Sequence, residues 1–388
     1  MRLLFLNHNV RGRGTWVRAF HLARELVSAG HDVTVVTTSP RARLRVHDGF
    51  ADGVRVIEAP DLWWGAARTG WDPYNTLRRS LLLRSGRFEL VHAFDSRPAV
   101  ILPALRVAAR AGAPLLMDWA DWWGRGGRIR ERSSWPVRTF FGPVETWFEE
   151  AFRLRAAAAT VISSALADRL AGLGYDRART LELPNGCTVA RHPDRDTARA
   201  TLGIEPAARV LIHLGVIMAP DLSLLRQAYE RASAVVPELR LVFVGASGRT
   251  GQELEGRGIT RTGFVAEAEM RAWLAAADAG VAPMHDTVGH RARWPAKVAE
   301  YMSAGIPTVV TDVGDIARIV REHRIGWVAR PDPAELGDAL VRAASGRDGA
   351  ECGERARVLA RGELSWRHVA RRLDSFYGEV MGQWRAAA

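Results

Sequence analysis

Three positively charged side chains lie close together near one short segment. The stretch RARWPAK holds Arg291, Arg293 and Lys297, and Lys297 is the only lysine among 54 lysine and arginine residues. Trp294-Pro295 predicts that a helix begins here, because proline is favoured at the first helical position. Unpaired N–H groups and the helix dipole make a helix N-terminus attractive to anions. Three cations at that place therefore predict a binding site for a diphosphate.

A carboxylate follows the lysine at helical spacing. Glu300 comes three residues after Lys297, which places it on the same helix face and about 4.5 Å further along the axis. One carboxylate can accept hydrogen bonds from both hydroxyls of a ribose, so the pair would suit a sugar attached to its own diphosphate. A compact ammonium also fits a crowded phosphate pocket better than a wide guanidinium fork. The alternative is a solvated helix start with a surface Lys297–Glu300 pair.

Two further carboxylates follow predicted strands. Asp95 comes after FELVHAF and Asp121 after APLLMDWA. The carboxyl ends of strands are where open α/β sheets bind ligands, so both residues are candidates to orient an acceptor hydroxyl. The alternative is that Asp95 starts a helix and that Asp121 caps a loop. His92 lies within its strand and is predicted to be an ordinary core histidine.

Tryptophans are concentrated in the first half of the chain. Eight of the fourteen lie between Trp63 and Trp147. Trp64, Trp122 and Trp123 lie in loops or at strand ends, where aromatic rings can stack on sugars. With nearby arginines they also suit a membrane interface or a lipid-linked acceptor. Ordinary core packing is the alternative for about half of these tryptophans.

The elements that would position these residues alternate between strand and helix. Apolar, β-branched segments separated by amphipathic helices predict parallel sheets covered on both faces. The pattern lapses into Pro, Gly, Asn and charged residues around 180–204, which marks a domain boundary. The predicted architecture is α/β, with two doubly wound domains facing each other across a cleft. The predicted division is 1–186, 187–365 and a final helix, 366–388, that packs back on the first domain.

The length, composition and net charge of the chain indicate which kinds of binding partner to expect. A chain of 388 residues with 47% hydrophobic and 25% charged residues is typical of a soluble protein with two domains. The net charge of +11 favours anionic partners. Its basic residues are dispersed, so nucleic acid is not an expected partner.

Cysteine usage and the apolar runs suggest a location. Cys187 and Cys352 are isolated, which fits a reducing cytoplasm. The start MRLLFLNHNV is too short for the core of a signal peptide, and no run approaches 18 apolar residues. A cytoplasmic protein is predicted, with peripheral contact at the inner face of the membrane as an option. His285, Asp286 and His290 match no metal-ligand spacing, so no metal is expected.

Taken together, these motifs resemble the retaining GT-B glycosyltransferases of the glycogen-synthase-like family 4, or group 1, type. The resemblance covers roughly residues 1–385. It is carried by a glycine loop, helix and strand (RGRGTWVRAFHLARELVSAGHDVTVVTT), by LPNG at 183–186, and by LVFVG, GFV and KVAEYMSAGIPTVVTDVGD in the second half.

The resemblance implies a function and a set of roles. The family transfers a sugar from a nucleotide diphosphate sugar, with UDP or GDP as the nucleotide, and retains the anomeric configuration. The acceptor hydroxyl would belong to a glycan, a lipid-linked glycan or a small natural product, and no further cofactor is needed. By position, Glu300 matches the carboxylate that holds the donor ribose, and Gly14 matches the glycine-loop backbone near the donor phosphates. Phe264 and Val265 match the backbone positions that hold the nucleobase. The candidate catalytic residues are Asp121, Asp95 and Lys297.

The chain departs from the family pattern at several positions. Ala292 stands where the first of two paired glutamates belongs, and Phe94 and Ala120 replace two histidines. HLGVIMAPDL lacks the arginine and lysine that usually follow this strand, so we expect Arg291, Arg293 and Lys297 to take over their role at the phosphates.

The sequence motifs are also compatible with two other classes of function. One is a GT-B epimerase or hydrolase acting on nucleotide sugars, and the other is a donor-binding homologue without turnover. A nicotinamide dehydrogenase is not expected, because no G-x-G-x-x-G follows the first strand.

Overall fold

The computed structural model describes residues 1–40, 44–63, 65, 68–131, 135–245 and 256–387. The chain divides into two compact units, one of residues 1–185 with 366–388 and the other of residues 186–365. The strands, in chain order, are β1 Arg2–Val10, β2 Asp32–Thr38, β3 His47–Ala51, β4 Val54–Ala59, β5 Leu90–Phe94, β6 Leu115–Trp119, β7 Ala158–Val161, β8 Thr180–Glu182, β9 Arg209–Leu214, β10 Leu239–Val244, β11 Ile259–Gly263, β12 Ala279–Ala282, β13 Thr308–Thr311 and β14 Gly326–Ala329.

Helices lie between most of the strands. In chain order they are α1 Thr15–Ser28, α2 Pro73–Leu82, α3 Pro98–Ala111, α4 Gly142–Ala151, α5 Ser164–Gly172, α6 Arg195–Leu202, α7 Ala219–Val235, α8 Glu267–Ala276, α9 Val288–Arg291, α10 Ala296–Ala304, α11 Gly314–Glu322, α12 Pro333–Ser345, α13 Gly349–Arg361 and α14 Trp366–Ala387. Among the described helices, none combines the length and apolarity that crossing a bilayer requires.

Each unit is built around one doubly wound sheet, as the strand–helix alternation predicted. The first unit has eight strands in the order β3-β4-β2-β1-β5-β6-β7-β8, and the second has six in the order β11-β10-β9-β12-β13-β14. All neighbours are parallel except β3 and β4. The strands at the centre of each sheet are apolar and buried because helices cover both faces. The carboxyl ends of these parallel strands place the functional residues of each unit at one edge of its sheet.

The antiparallel pair β3–β4 was not predicted from the sequence. Ala51 pairs with Val54 across a two-residue turn in which Asp52 and Gly53 have φ values of 49° and 79°. Asp-Gly is a strong signal for such a hairpin turn. The signal was overlooked because β3 is exposed and lacks the apolar alternation of a half-buried strand.

The final helix, α14, belongs to the first unit and packs against α1. Trp366 stacks on His21 with ring centroids 4.9 Å apart, and the Tyr377 hydroxyl lies 2.6 Å from His92 Nδ1. Nε2 of His92 lies 3.1 Å from the Thr160 hydroxyl. Burial lowers the pKa of His92 to about 3, so this ring is neutral and acts as the core histidine that its strand position predicted.

Candidate functional site

The candidate site of the second unit centres on helix α10. Ala296–Ala304 form the helix, and Gly305 ends it in the left-handed region with φ 71°. Pro295 is the N-cap residue, so the helix begins one residue later than the sequence suggested. Its fixed φ starts the helix, and Gly305 lets the chain turn towards β13 without the steric cost of a Cβ atom. The helix therefore has the bounds needed to place Lys297 and Glu300 one turn apart.

Lys297 extends from the first turn of α10 to the end of β9. Its ammonium lies 2.7 Å from His213 Nε2 and 3.4 Å from the Val216 carbonyl oxygen. His213 Nδ1 lies 2.9 Å from the Val281 carbonyl oxygen, to which it can donate, so Nε2 is left as the acceptor for Lys297. The ammonium is thereby oriented by a buried imidazole, and it has further N–H groups to donate.

Burial changes the protonation of this pair. Desolvation lowers the pKa of Lys297 to about 8; Asp221 raises it and Arg293 lowers it further. Desolvation and the neighbouring ammonium hold the pKa of His213 well below its usual value. The imidazole therefore stays neutral, and Lys297 carries the positive charge of the pair at neutral pH. A bound anion would favour that charged form.

Glu300 lies one turn further along α10. Its side chain is half-buried, and within the described ranges its carboxylate makes no hydrogen bond or ion pair. Burial raises its pKa, Glu267 raises it further and Arg271 lowers it. No Lys297–Glu300 ion pair forms. A carboxylate whose oxygens are unengaged and partly desolvated is suited to accept the hydroxyls of a ligand.

The structure places the two arginines outside the helix that carries the lysine. Arg291 ends the short helix α9, and its guanidinium binds Asp286 through two contacts of 2.5 and 2.6 Å. Ala292–Pro295 form the connection to α10, so Arg291 is not in the same helical turn as Lys297. The charge of Arg291 is neutralised by Asp286, whereas Arg293 is half-buried and lies close enough to lower the pKa of Lys297. The roles of both arginines at a phosphate stay predictions.

Two polar groups of this region were missed by sequence reasoning. His213 is a histidine inside the apolar strand VLIHLGV, a signal that could have identified it. Asp221, in the first turn of α7, lies 2.9 Å from the His285 backbone N–H and 3.1 Å from its Nδ1. Asp221 also faces His290 Nε2 at 3.4 Å. These contacts join α7 to the loop before α9. Within the described ranges, no three or more His, Cys, Asp or Glu side chains are grouped so that they could hold a metal ion.

The nucleobase candidates follow β11. Phe264 is 80% exposed and Val265 is half-buried. No contact among the described residues tests whether their backbone groups hold a nucleobase, so this role stays a prediction.

The glycine loop of the first unit connects β1 to α1. Gly14 has φ 56° and ψ −133°, a conformation open only to glycine. The Asn9 side chain lies beneath it, and its Oδ1 accepts from the Thr15 N–H at 2.8 Å and from the Thr15 hydroxyl at 2.5 Å. A Cβ atom on Gly14 would lie 2.7 Å from the Asn9 side chain. Gly14 therefore allows Asn9 to hold the first turn of α1.

Asp95 is enclosed rather than open to a substrate. It follows β5 with φ 118°, and its carboxylate accepts from the Ser96 N–H at 2.5 Å and lies 3.2 Å from His8 Nδ1. Burial raises its pKa, but His8 and Arg97 lower it more, so the pKa lies well below its usual range. A carboxylate with so low a pKa is a weak general base. The geometry favours an organising role at the end of β5.

The loop after β6 holds the remaining acceptor candidates. Asp121 is half-buried with its carboxylate 3.7 Å from the Arg128 guanidinium, and Trp122 donates its indole N–H to the Arg125 carbonyl at 3.0 Å. The Trp123 ring lies under the Arg128 and Arg97 guanidinium groups, at 4.4 and 5.1 Å. Trp64 lies outside the described residues. Asp121, Trp122 and Trp123, which are consecutive in the sequence, therefore lie in one loop that these contacts hold in place.

A buried acid that the sequence did not identify supports this loop. Glu149 of α4 accepts from the Trp119 indole N–H at 3.1 Å and from the backbone N–H groups of Trp123 and Gly124 at 2.8 and 2.6 Å. Desolvation raises its pKa to about 7, although Arg153 and these backbone groups lower it. Three donors on one buried carboxylate fix the conformation of residues 119–124.

We expect Glu149→Gln to destabilise the protein by about 1–3 kcal/mol, because the amide nitrogen would face the Gly124 N–H and leave a buried donor unpaired. Thermal unfolding would measure the loss at pH 8. Glu150→Gln is the matched control, since Glu150 is adjacent but forms ion pairs with Arg125 and Arg169. Equal melting temperatures for the two variants would refute the assignment.

Two family models match this chain. The glycosyl transferase 4-like domain matches residues 13–186, and the glycosyl transferases group 1 domain matches residues 208–345. They cover the glycine loop with the acceptor candidates and the α10 site, respectively. The chain therefore belongs to the group 1 glycosyltransferases and has the GT-B fold.

Curated relatives agree with that family. D-inositol 3-phosphate glycosyltransferase of Nocardioides sp. is 31% identical over 230 residues, which are 51% of this chain and 48% of that protein. The chain thus spans about half the length of the three D-inositol 3-phosphate glycosyltransferases that it matches.

Among solved structures, sucrose-phosphate synthase of Thermosynechococcus elongatus has a TM-score of 0.76 at 16% identity and covers 98% of this chain and 99% of its own. Anabaena HepE, solved in complex with UDP and glucose, has a TM-score of 0.67 at 15% identity and covers 97% and 99%. At such identities these likenesses establish the fold alone.

Proposed function

We propose that this protein is a retaining glycosyltransferase that moves a sugar from a nucleotide diphosphate sugar to an acceptor hydroxyl. The observation that carries the proposal is the pair formed by Lys297 and Glu300 on α10. One is a half-buried, oriented ammonium and the other is a carboxylate with no described partner, one helical turn away. An ammonium can bind the oxygens of a diphosphate, and a carboxylate can accept hydrogen bonds from the hydroxyls of its ribose.

The proposed mechanism assigns the chemistry to the leaving group. The acceptor hydroxyl attacks the anomeric carbon as the bond to the diphosphate breaks, and the departing diphosphate takes the hydroxyl proton on the same face. Lys297 stabilises the negative charge that develops on the diphosphate, and the N-terminus of α10 adds to this effect. Arg293, near Lys297, is proposed to contribute to the same potential. No protein nucleophile and no cofactor are part of this proposal.

UDP is the first donor nucleotide to test, because HepE, which shares the fold, was solved with UDP and glucose. Calorimetric titration with UDP, GDP and 2′,3′-dideoxy-UDP is the experiment. We expect native protein to prefer UDP over the dideoxy analogue, because Glu300 accepts from the ribose hydroxyls. The Glu300→Gln variant should bind UDP about tenfold more weakly than the native protein. Its affinity for the dideoxy analogue should be almost unchanged.

Glu322→Gln, on the exposed face of α11, is the matched control for Glu300→Gln. Equal losses for UDP and its dideoxy analogue in Glu300→Gln would remove the ribose assignment. Failure of every nucleoside diphosphate and nucleotide sugar to bind would remove the donor proposal itself.

Donor affinity is expected to fall as the pH rises through about 8. The pKa of Lys297 is about 8 in the unliganded protein, so above that pH the site must regain a proton before it binds a diphosphate. The dissociation constant should then rise by up to about tenfold per pH unit. Titration of native protein and Lys297→Met between pH 7 and 9.5 would measure this step. A native profile as flat as that of the variant would contradict the assignment.

The same shift has a consequence for stability. Because folding lowers the pKa of Lys297 from 10.5 to about 8, the unfolded chain binds more protons in that interval. The Lys297 contribution to the free energy of unfolding should therefore increase from pH 8 to 10.5 in the unliganded protein.

The acceptor side of the proposal rests on the first unit. The loop containing Asp121, Trp122 and Trp123 offers a carboxylate and two aromatic rings, which can orient a hydroxyl and stack on a sugar. A lipid-linked acceptor and contact with a membrane surface are proposed because Trp135, Phe140 and Trp147 are 61%, 71% and 55% exposed near this loop in the sequence. We propose a cytoplasmic location because Cys187 and Cys352 are free thiols, which suits a reducing compartment.

A further inference from the structure

A second cavity lies in the first unit, away from the glycine loop. It has a volume of about 560 Å3 and lies where β1, β5 and β6 begin, at the amino edge of the sheet. The glycine loop and Asp95 follow the carboxyl ends of β1 and β5, so the cavity is at the opposite edge. Its volume is in the range of small-molecule binding sites.

Arginine dominates the lining of this cavity. Of the described residues, five arginines and one acidic residue, Glu89, line the cavity. The arginines are Arg2, Arg84, Arg87, Arg110 and Arg385. They come from four separate parts of the fold: the start of β1, the loop between α2 and β5, the end of α3 and the end of α14. A tertiary cluster of this kind is invisible in the sequence, where the basic residues are dispersed.

Most of these guanidinium groups have no partner among the described residues. Within the described ranges, the side chains of Arg2, Arg84, Arg87 and Arg385 make no hydrogen bond or ion pair, while Arg110 donates to the Leu83 carbonyl at 2.8 Å. Glu89 accepts from the Arg2 backbone N–H at 2.7 Å rather than from a guanidinium. Exposed arginines elsewhere often have a carboxylate, as Arg55 has Asp48 and Arg177 has Asp168.

Helix dipoles explain part of this charge but not all of it. α2, α3 and α14 end at the cavity, and each C-terminus contributes about half a negative charge that favours nearby cations. Together with the full charge of Glu89 they offset about two and a half of the five positive charges. A net charge of about +2 to +3 is left around this concave site, and it favours a ligand with several negative charges.

The cavity also offers aromatic surface. Trp384 of α14 is 38% exposed, and its indole N–H donates to the Gly112 carbonyl at 2.9 Å, which fixes the ring at the wall. Phe88 lines the cavity as well. Rings of this kind can pack against the organic part of a phosphorylated compound, while guanidinium forks bind phosphate oxygens in pairs.

We propose that this arginine cavity binds a small molecule carrying two or more phosphate groups, at a site distinct from the proposed donor site. The proposal does not depend on the glycosyltransferase assignment. Because α14 forms one wall, the ligand would also hold the end of this helix against the start of the sheet.

Calorimetric titration with inorganic pyrophosphate tests the proposal, using Lys297→Met to remove the diphosphate contact of the donor site. We expect one equivalent of pyrophosphate to bind, more tightly than orthophosphate. Adding Arg84→Gln and Arg87→Gln should weaken binding by at least about tenfold, because two charge-assisted contacts are lost. Arg226→Gln with Arg318→Gln, which removes the same charge from α7 and α11, should leave it unchanged. The proposal is overturned if pyrophosphate binds equally to the proteins with either pair of arginine substitutions. It is also overturned if pyrophosphate does not bind to the Lys297→Met protein at all.

Arginine modification provides a second readout that requires no substitution. Pyrophosphate should protect Arg84 and Arg87 of the native protein from phenylglyoxal, as detected by mass spectrometry, and should leave Arg318 reactive. Equal modification with and without pyrophosphate counts against the site.

Sedimentation with phosphatidylcholine–phosphatidylglycerol vesicles separates a free phosphate compound from a lipid headgroup. The native protein and the Arg84→Gln, Arg87→Gln variant should bind these vesicles equally. A variant that loses vesicle binding but keeps pyrophosphate binding would overturn the proposal.

Discussion

Lys297→Met is expected to lower kcat/KM by about one to two powers of ten without lowering the melting temperature. The variant removes one charge-assisted hydrogen bond to the leaving diphosphate, worth about 1.5–3 kcal/mol. It also removes a partly desolvated ammonium, whose burial disfavours the folded state, and this offsets the loss of its hydrogen bond to His213. Loss of turnover with equal or higher stability is the signature of a functional residue rather than a structural one.

Lys297→Arg should also lose turnover, although it keeps the positive charge. A guanidinium is wider than an ammonium and cannot occupy the same place 2.7 Å from His213 Nε2 without displacing its neighbours. Since the chain has no second lysine, Arg318→Gln on α11 is the matched control for surface charge. Steady-state rates with a nucleotide sugar and thermal unfolding would measure both effects. Native-like rates in Lys297→Met and Lys297→Arg would exclude the diphosphate role.

Gly14→Ala is expected to have the second large effect, a loss of about 2–4 kcal/mol in the free energy of unfolding and a fall in kcat/KM of more than about tenfold. The backbone conformation costs about 1–3 kcal/mol for a residue with a side chain. The new Cβ atom would also displace Asn9, whose Oδ1 holds Thr15 at the start of α1. Losing such a cap costs about 1 kcal/mol.

Gly12→Ala provides the matched control in the same loop. Gly12 also has a positive φ, 87°, but a Cβ atom there would have nothing within 4 Å. This variant should show backbone strain without the steric conflict. Asn9→Ala with Gly14→Ala should be less destabilising than the sum of the single changes, because removing Asn9 relieves the contact. Additive losses, measured by chemical denaturation, would contradict this account of the loop.

Much of the fold could be predicted because the relevant interactions are local or periodic. Apolar runs of strand length, amphipathic helices and glycine or proline at their ends determine β1, α1 and α10 within one or two residues. The hairpin β3–β4 was missed because an exposed strand carries no periodic signal.

The amino-acid sequence by itself determined the candidate pair Lys297–Glu300, the position of Gly14 and the family resemblance, because these depend on spacing within a few residues. Tertiary structure decided which charges are available. It pairs Arg291 with Asp286, encloses Asp95 between His8 and Ser96, and brings His213 to Lys297 from 84 positions away. It also assembles the arginine cavity from four distant segments. Partners that meet across a sheet edge leave no local pattern, and burial, which sets their pKa values, depends on the whole packed unit.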